Sequence, residues 1–311
     1  MNGVVQTRAL VIGEALIDVV PRAGASPLEL PGGSPLNVAI GLGRLGRLVD
    51  LETWIAPDPH GWAIQQHLAE SHVHLAAGSL DARFTPTAKV EFNPSGGARY
   101  VFDLEWDFTP PQSLGDIAVL HTGSLATAVE PGGAKLATFF GSLKNTLDAV
   151  PTLTFDPNLR PAVTPDPETI RPRVEALAAV ADVVKVSDED LAFLYPERDP
   201  LDVIGGWAEQ GAALAVLTSG QAGATAVAGA VSVNAPAKAV DAVDTVGAGD
   251  AFMSGLIDGL WTEGLIGAGA RPALRSISET QLVRVVDRAR TVAAAVVGRA
   301  GANPPWAREL A

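Results

Sequence analysis

The stretch DTVGAGDAFMSGLIDGL, residues 244–260, decides how this chain is read. Three small residues, Gly247, Ala248 and Gly249, stand just ahead of a helical pattern. Backbone N–H groups at such a turn converge on one spot, and the helix dipole adds positive potential there. That is an anion site without a lysine. Asp250 is out of place in it, because a carboxylate beside an anion pocket repels the anion. The combination makes chemical sense if Asp250 accepts a proton from an attacking hydroxyl while the N–H groups hold charge developing on a phosphoryl group. The residues alone leave a plainer alternative open, in which Asp250 caps the helix and the glycines make a tight turn.

A second glycine-rich stretch, PGGSPLNVAIGLGRLG, spans 31–46. Gly32 and Gly33 allow a ligand to approach the backbone closely. Ser34 can cap a helix beginning near Pro35. Asn37 falls in the first turn, where its amide can meet a polyol or serve as an ordinary helix residue. GLGRLG (41–46) matches the glycine fingerprint of dinucleotide-binding proteins. That fingerprint must follow a strand and open a helix. Here it closes a helical pattern, so it reads as helix packing and C-capping.

Working outward, apolar runs of strand length appear at RALVIG (8–13), VDLETWIA (49–56), IAVLHTG (117–123), TLTFDPN (152–158), DVVKVS (182–187) and AALAVLTSG (212–220). Helical patterns fall between them, at about 34–45, 60–71, 132–147, 168–180, 188–194, 200–210, 248–261 and 279–298. Alternating strands and helices predict a parallel sheet with helices on both faces, an α/β fold of three layers, with ligands beyond the C-terminal strand ends. TAKVEFNPSGGARYVFDL (87–104) breaks the rhythm, with β patterns on both sides of NPSGG. It reads as a hairpin, and residues 14–31 can supply partner strands. A single domain, 1–311, with a small β lid built from about 14–34 and 84–108 is therefore expected.

Composition narrows the function. Hydrophobic residues make up 47% of the chain and charged ones 18%, enough for a large core. A net charge of -13 argues against a nucleic-acid partner. With no cysteine, disulfides, thiolate nucleophiles and Cys-based zinc sites are excluded. No signal peptide is read at the N-terminus, and the apolar run 292–297 is far short of the roughly 20 residues of a membrane span, so a cytoplasmic location is expected. No G-x-x-x-x-G-K-[ST] run marks a P-loop. His60, His67, His72 and His74 lie close in sequence without a carboxylate-rich helix motif, and read as surface or packing residues. Of the six tryptophans, Trp106 stands beside the hairpin and is the one expected to touch a substrate.

The two glycine stretches, in this order, resemble the ribokinase-like carbohydrate kinases, the PfkB family. IGEALIDVVP (12–21), FDPNLRP (155–161), VKVSDEDL (184–191) and VLTSGQAGA (216–224) extend the resemblance over nearly the whole chain, and IGEALID with FDPNLRP looks most like the fructokinase branch. The resemblance implies an ATP-dependent sugar kinase using Mg²⁺ and a monovalent cation such as K⁺, with D-fructose the expected acceptor. It assigns Asp250 as base and Gly247, Ala248 and Gly249 as anion hole. Asp18, Gly32, Gly33 and Asn37 would bind sugar hydroxyls, with Arg160 near substrate or phosphates and Asn158 beside it. Lys185 and Ser187 would face the ATP phosphates, and Thr218, Gly220 and Gly223 would form the nucleotide turn. Asp244 would belong to a loop holding the monovalent cation.

Two positions depart from the family pattern. Ser187 and Asp190 replace a common Asn-x-x-Glu, leaving Asp190 to order water on Mg²⁺ with a shorter side chain. Val246 stands where Thr is common. Other acceptors (2-keto-3-deoxygluconate, ribose, a nucleoside), a non-catalytic sugar-binding regulator and a nicotinamide-dependent oxidoreductase are the rival readings. Arg160 pairing with a substrate carboxylate would favour a sugar acid. The hairpin edge is the expected place for a homodimer to form.

Overall fold

The computed structural model describes residues 7–22, 24–92, 98–143, 151–267 and 269–310. The loop NPSGG lies outside them. In chain order the elements are β1 (Arg8–Ile12), β2 (Leu16–Arg22), β3 (Ala25–Gly32), α1 (Ser34–Arg44), β4 (Leu48–Glu52), α2 (Pro59–Glu70), β5 (Val73–Leu75), β6 (Thr87–Phe92), β7 (Ala98–Asp103) and β8 (Ile117–Gly123). There follow α3 (Leu125–Ala128), α4 (Gly132–Leu143), β9 (Thr152–Asp156), α5 (Pro167–Val180), β10 (Val183–Ser187), α6 (Asp188–Leu194) and α7 (Pro200–Gln210). The chain ends with β11 (Leu214–Thr218), β12 (Ala224–Ala228), β13 (Val231–Ala235), α8 (Ala248–Thr262), α9 (Arg271–Arg275) and α10 (Glu279–Val297).

Nine strands form one sheet in the order β13-β12-β11-β10-β9-β8-β1-β4-β5. From β11 to β5 the pairings are parallel, and β12 and β13 close one edge antiparallel. Successive side chains of β1 point to opposite faces. Ala9 and Val11 meet Leu36, Ile40, Ile64, Leu256 and Val285, from α1, α2, α8 and α10. Leu10 and Ile12 meet Phe140, Val174, Leu191 and Trp207, from α4 to α7. This is the three-layer α/β architecture expected from the alternation of apolar runs. Chain order reverses between β1 and β8, which makes that crevice the topological switch point where ligands of open α/β sheets bind.

The antiparallel β12–β13 edge was not expected. ATAVA and VSVNA are rich in alanine and small polar residues, so local β preference is weak, and pairing with β11 decides their state. The second sheet has four strands in the order β3-β2-β6-β7. All four come from segments 14–34 and 84–108. Leu16 and Ala88 pack there with Leu125, Phe102 and Val163, so one face of this sheet covers the strand ends near the switch point.

Candidate active site

Gly247 is the N-cap of α8 and holds a left-handed conformation at φ 75°. A side chain there would be strained, and its Cβ would stand 2.9 Å from the Ala302 Cα. Only glycine lets the turn lie against residues 301–302, and of the first N–H groups of α8 that of Ala248 bonds the Thr245 carbonyl at 3.2 Å. No side chain caps them, Asp250 included. The capping alternative for Asp250 is therefore not what the fold contains.

The Asp250 carboxylate turns away from its own helix and is 5% exposed. Ser34 Oγ donates to its Oδ1 at 2.7 Å, Asn158 Nδ2 donates to the same oxygen at 3.0 Å, and Asn37 Nδ2 donates to Oδ2 at 2.8 Å. Asn158 Nδ2 also reaches Ser34 Oγ at 2.6 Å. The donors come from the first turn of α1 and from the loop after β9. This corrects the expectation for Ser34: the cap of α1 is Gly33 at φ 112°, and the Ser34 hydroxyl serves Asp250 instead. Asn37, expected on a polyol, donates one Nδ2 hydrogen to Asp250. Sequence reasoning placed Asn158 only beside the site. The polar residue that follows the buried strand TLTFD was the available signal.

Gly32 packs against the Asp18 carboxylate, and a Cβ on Gly33 would stand 2.6 Å from the Glu14 carbonyl oxygen. Burial pushes the Asp18 carboxyl up to about 6, against the opposing pull of Arg160. Arg160 Nη1 donates to Asn158 Oδ1 at 2.6 Å and to the Asn158 and Leu159 carbonyls at 3.1 Å, which holds it against its own loop. Glu14, given no role in the sequence, sits at the switch point and accepts the Ala126 N–H at 2.9 Å, linking the end of β1 to α3. Burial pushes its carboxyl from 4.5 up to about 7, against lowering by Ser124, Ala126 and Arg160.

The folded chain therefore binds a proton at Glu14 that the unfolded chain has lost between about pH 4.5 and 7. Stability present below that window falls as pH rises through it, by on the order of 3 kcal/mol. Glu14→Gln, which keeps an acceptor for Ala126, is expected to flatten this fall. Melting temperatures from pH 4 to 8 check it; an unchanged slope would show that another group carries the proton.

Lys185 and Asp190 lie deeper than expected. Lys185 Nζ is buried and pairs with Asp156 Oδ2 at 2.8 Å, rather than presenting itself at the surface. Asp190 Oδ1 accepts the Leu159 N–H at 2.7 Å, while Oδ2 accepts the Ser187 hydroxyl at 2.7 Å. The Ser187 hydroxyl also receives the Asp190 N–H at 3.0 Å, so the two close a capping box on α6. The shorter carboxylate is thus a brace between β10 and the Asn158 loop.

Thr218 is the register partner of Ser187 at the end of β11, followed by Gly220 at φ 48° and Gly223 at φ 101°. These three stand apart from the Asp250 cluster, on the β10–β11 side. Asp244 accepts N–H bonds from Val246 at 3.0 Å and Gly301 at 2.9 Å, which hold its carboxyl below the usual range.

Trp106 does not line the site. It is 2% exposed, donates its indole N–H to the Ala126 carbonyl at 3.0 Å and stacks on Phe108. His60 lies 3.3 Å from Glu29, His74 lies 3.5 Å from Asp50, and His72 packs edge-on to Trp306. Among the described residues no three His, Asp or Glu side chains gather as a metal cage, and no helix is long and apolar enough to cross a membrane. Gly41 packs on Ser254 and Gly43 on Ser71, so GLGRLG serves helix packing.

Residues 6–308 match the pfkB family carbohydrate kinases. A fructokinase of Klebsiella pneumoniae is 34% identical over 276 residues, covering 85% of this chain and 87% of that one. The structure of a Vibrio cholerae fructokinase double mutant with fructose, ADP and potassium superposes with a TM-score of 0.74 at 26% identity, covering 96% of this chain and 94% of that one. A Xylella fastidiosa fructokinase with bound ATP has a TM-score of 0.81 at 23% identity, covering 98% of each chain, and shares the fold. The chain belongs to the pfkB family of carbohydrate kinases and is an ATP-dependent enzyme of that kind.

Proposed function

We propose that this kinase phosphorylates a hydroxyl of a small neutral sugar, D-fructose foremost, with Asp250 as general base and the N–H groups of Gly247, Ala248 and Gly249 as anion hole. The observation that carries the reading is the Asp250 carboxylate, oriented by Ser34, Asn37 and Asn158 in the first turn of a helix whose leading N–H groups no side chain caps. The fructokinases among its relatives support fructose.

In this reading the sugar lies beneath the four-stranded sheet, against Asp18, Gly32, Gly33 and Asn37. Asp250 takes the proton of the acceptor hydroxyl. That oxygen forms a bond to the γ-phosphorus as the bond to the β-phosphate oxygen breaks, leaving its electron pair on ADP. Charge growing on the transferring group meets the N–H groups at the start of α8. ATP extends toward Ser187, Thr218, Gly220 and Gly223. The four-stranded sheet acts as a lid that excludes water. Its β3 edge, with Leu30 exposed and Val20 exposed on the neighbouring β2, supports pairing with a second copy.

Among the described residues no carboxylate cage gathers, so Mg²⁺ would be held chiefly by the nucleotide phosphates, with Asp190 as the residue able to order one of its waters. When bound it offsets phosphate charge. Asp244 orders the loop whose carbonyls would hold a monovalent cation. Arg160 gives Nη1 to Asn158 and Leu159, and its charge acts on Asp18, which keeps it beside the sugar position. A cytoplasmic location fits these substrates.

The test is a coupled ADP-release assay with ATP, Mg²⁺ and K⁺ across fructose, ribose, tagatose, 2-keto-3-deoxygluconate and nucleosides. Strong turnover with fructose is expected. ATP binding with no turnover on any member would move the reading to an untested acceptor or to a sugar-binding regulator.

A further inference from the structure

The glycine turn ahead of α8 does not hold its position alone. Gly301 donates its N–H to Asp244 Oδ2 at 2.9 Å, and a Cβ on Gly247 would stand 2.9 Å from the Ala302 Cα. Residues 301–306 are neither helix nor strand, although the Asn303 N–H reaches the Gly301 carbonyl at 2.8 Å. The place of Gly301 and Ala302 against the turn is therefore set by contacts further along the segment.

Those contacts are built around Trp306. The Arg44 guanidinium lies over its ring at 5.5 Å from the centroid and Arg308 at 5.1 Å, while His72 meets it edge-on at 5.4 Å. Arg44 Nη1 also donates to Asn303 Oδ1 at 2.6 Å and to the Pro304 carbonyl at 2.8 Å, and its Nε donates to Ser71 Oγ at 3.1 Å. Glu309 accepts the Trp306 N–H at 2.7 Å and Arg299 Nη2 at 2.7 Å, which ties the segment back to the end of α10. Leu310 packs on the small cluster of Leu45, Ala251, Val292 and Val296.

Two features set this clamp apart from a staple of the fold. Trp306 belongs to neither of the two large core clusters, so the nine-stranded sheet and its helical layers do not rest on it. Arg44 also closes the helix that Ser34 opens. One element, α1, thus holds Asp250 at its first turn and Trp306 at its last, roughly 15 Å apart along the axis. The start of α8 is held from two sides, the carboxylate by the beginning of α1 and the glycine turn by a segment fastened to its end.

We propose that segment 301–310 is a strap that positions the anion-hole turn for phosphoryl transfer, and that Trp306, gripped by Arg44, is the positioning residue that fastens it. This rests on the kinase reading above and deepens it. Gly301 and Ala302 make the contact with the turn, so a loosened strap lets the N–H donors drift from the transferring group. A drift of about 1 Å at such donors costs up to about 10²-fold in rate. The sugar is bound elsewhere, beneath the four-stranded sheet, so the loss falls on kcat more than on KM for sugar.

The parent enzyme must first turn over a sugar; absence of that turnover strikes the kinase reading, and this inference falls with it. In active enzyme, Trp306→Ala is expected to lower kcat by about 10-fold with KM for sugar within about 3-fold, and to weaken binding of ADP with aluminium fluoride by the same factor as kcat. Hydrogen exchange is expected to quicken in peptides covering 244–249 and 298–303, while peptides from β1, β8 and β9 exchange as in the parent. Trp306→Phe keeps a ring face for Arg44 and Arg308 and is expected to hold kcat within about 3-fold of the parent. Trp306→Leu fills space without that face; it keeps the test alive if the alanine form does not fold, and is expected to lose kcat as the alanine form does. Parent-like kcat in the leucine form, equal kcat for the phenylalanine and leucine forms, or unchanged exchange at 244–249 would overturn the proposal.

Discussion

Asp250→Asn is expected to lower turnover by about 10²-fold or more while ATP affinity stays close to that of the parent. The replacement keeps size and shape, and its carbonyl oxygen can still accept from Ser34 and Asn158 on the Oδ1 side. The new amide then faces Asn37, whose own amide must turn to offer oxygen instead of nitrogen. The site remains filled and hydrogen-bonded, so the lost element is the capacity to take a proton. The cost to the fold is small, because Gly247 and not Asp250 caps α8; the lost helix-dipole attraction is worth about 0.3–1 kcal/mol. A coupled assay for kcat, calorimetry for ATP and a melting curve separate the outcomes. Turnover within a few-fold of the parent would remove Asp250 from the role of base.

Gly249→Val is expected to raise KM for ATP by about 10-fold and lower kcat by about 10²-fold. Gly249 has a helical place in α8, so backbone strain is not the cause. Its added Cβ would stand 3.1 Å from Lys185 Nζ, and branched methyls would cover the neighbouring N–H groups. Two effects then coincide, a blocked anion hole and a displaced ammonium. Gly249→Ala adds only the Cβ, which the flexible end of Lys185 can accommodate, so the smaller variant should retain more phosphate affinity than the larger one. The same ATP affinity for both and for the parent would show that phosphate does not approach this turn.

Much of the fold was legible because the main strands are nearly continuous apolar runs and the helices are bounded by strong signals. Asp58, Asp166 and Asp199 each precede a proline and cap α2, α5 and α7 with a side-chain bond. The edge strands β12 and β13 were not legible, since ATAVA and VSVNA carry little intrinsic β preference and depend on β11 for their pairing. Trp106 was misread because nearness in sequence to the hairpin says nothing of direction, and its indole points to the Ala126 carbonyl inside the core.

By itself, the sequence determined the alternating α/β order, the glycine turn ahead of α8, the acid that follows it and the family those stretches mark. Local chemistry is enough for these, since periodicity, glycine and helix dipole act within a few residues. Only the tertiary structure decided what each polar side chain is for. Ser34, Asn37 and Asn158 converge on Asp250 from positions 216, 213 and 92 residues away, and Lys185 meets Asp156 across 29. A hydroxyl in the first turn of a helix is a cap if solvent lies beyond it and a carboxylate's partner if another helix does. The parallel sheet, by stacking distant strand ends at one edge, settles which of the two it is.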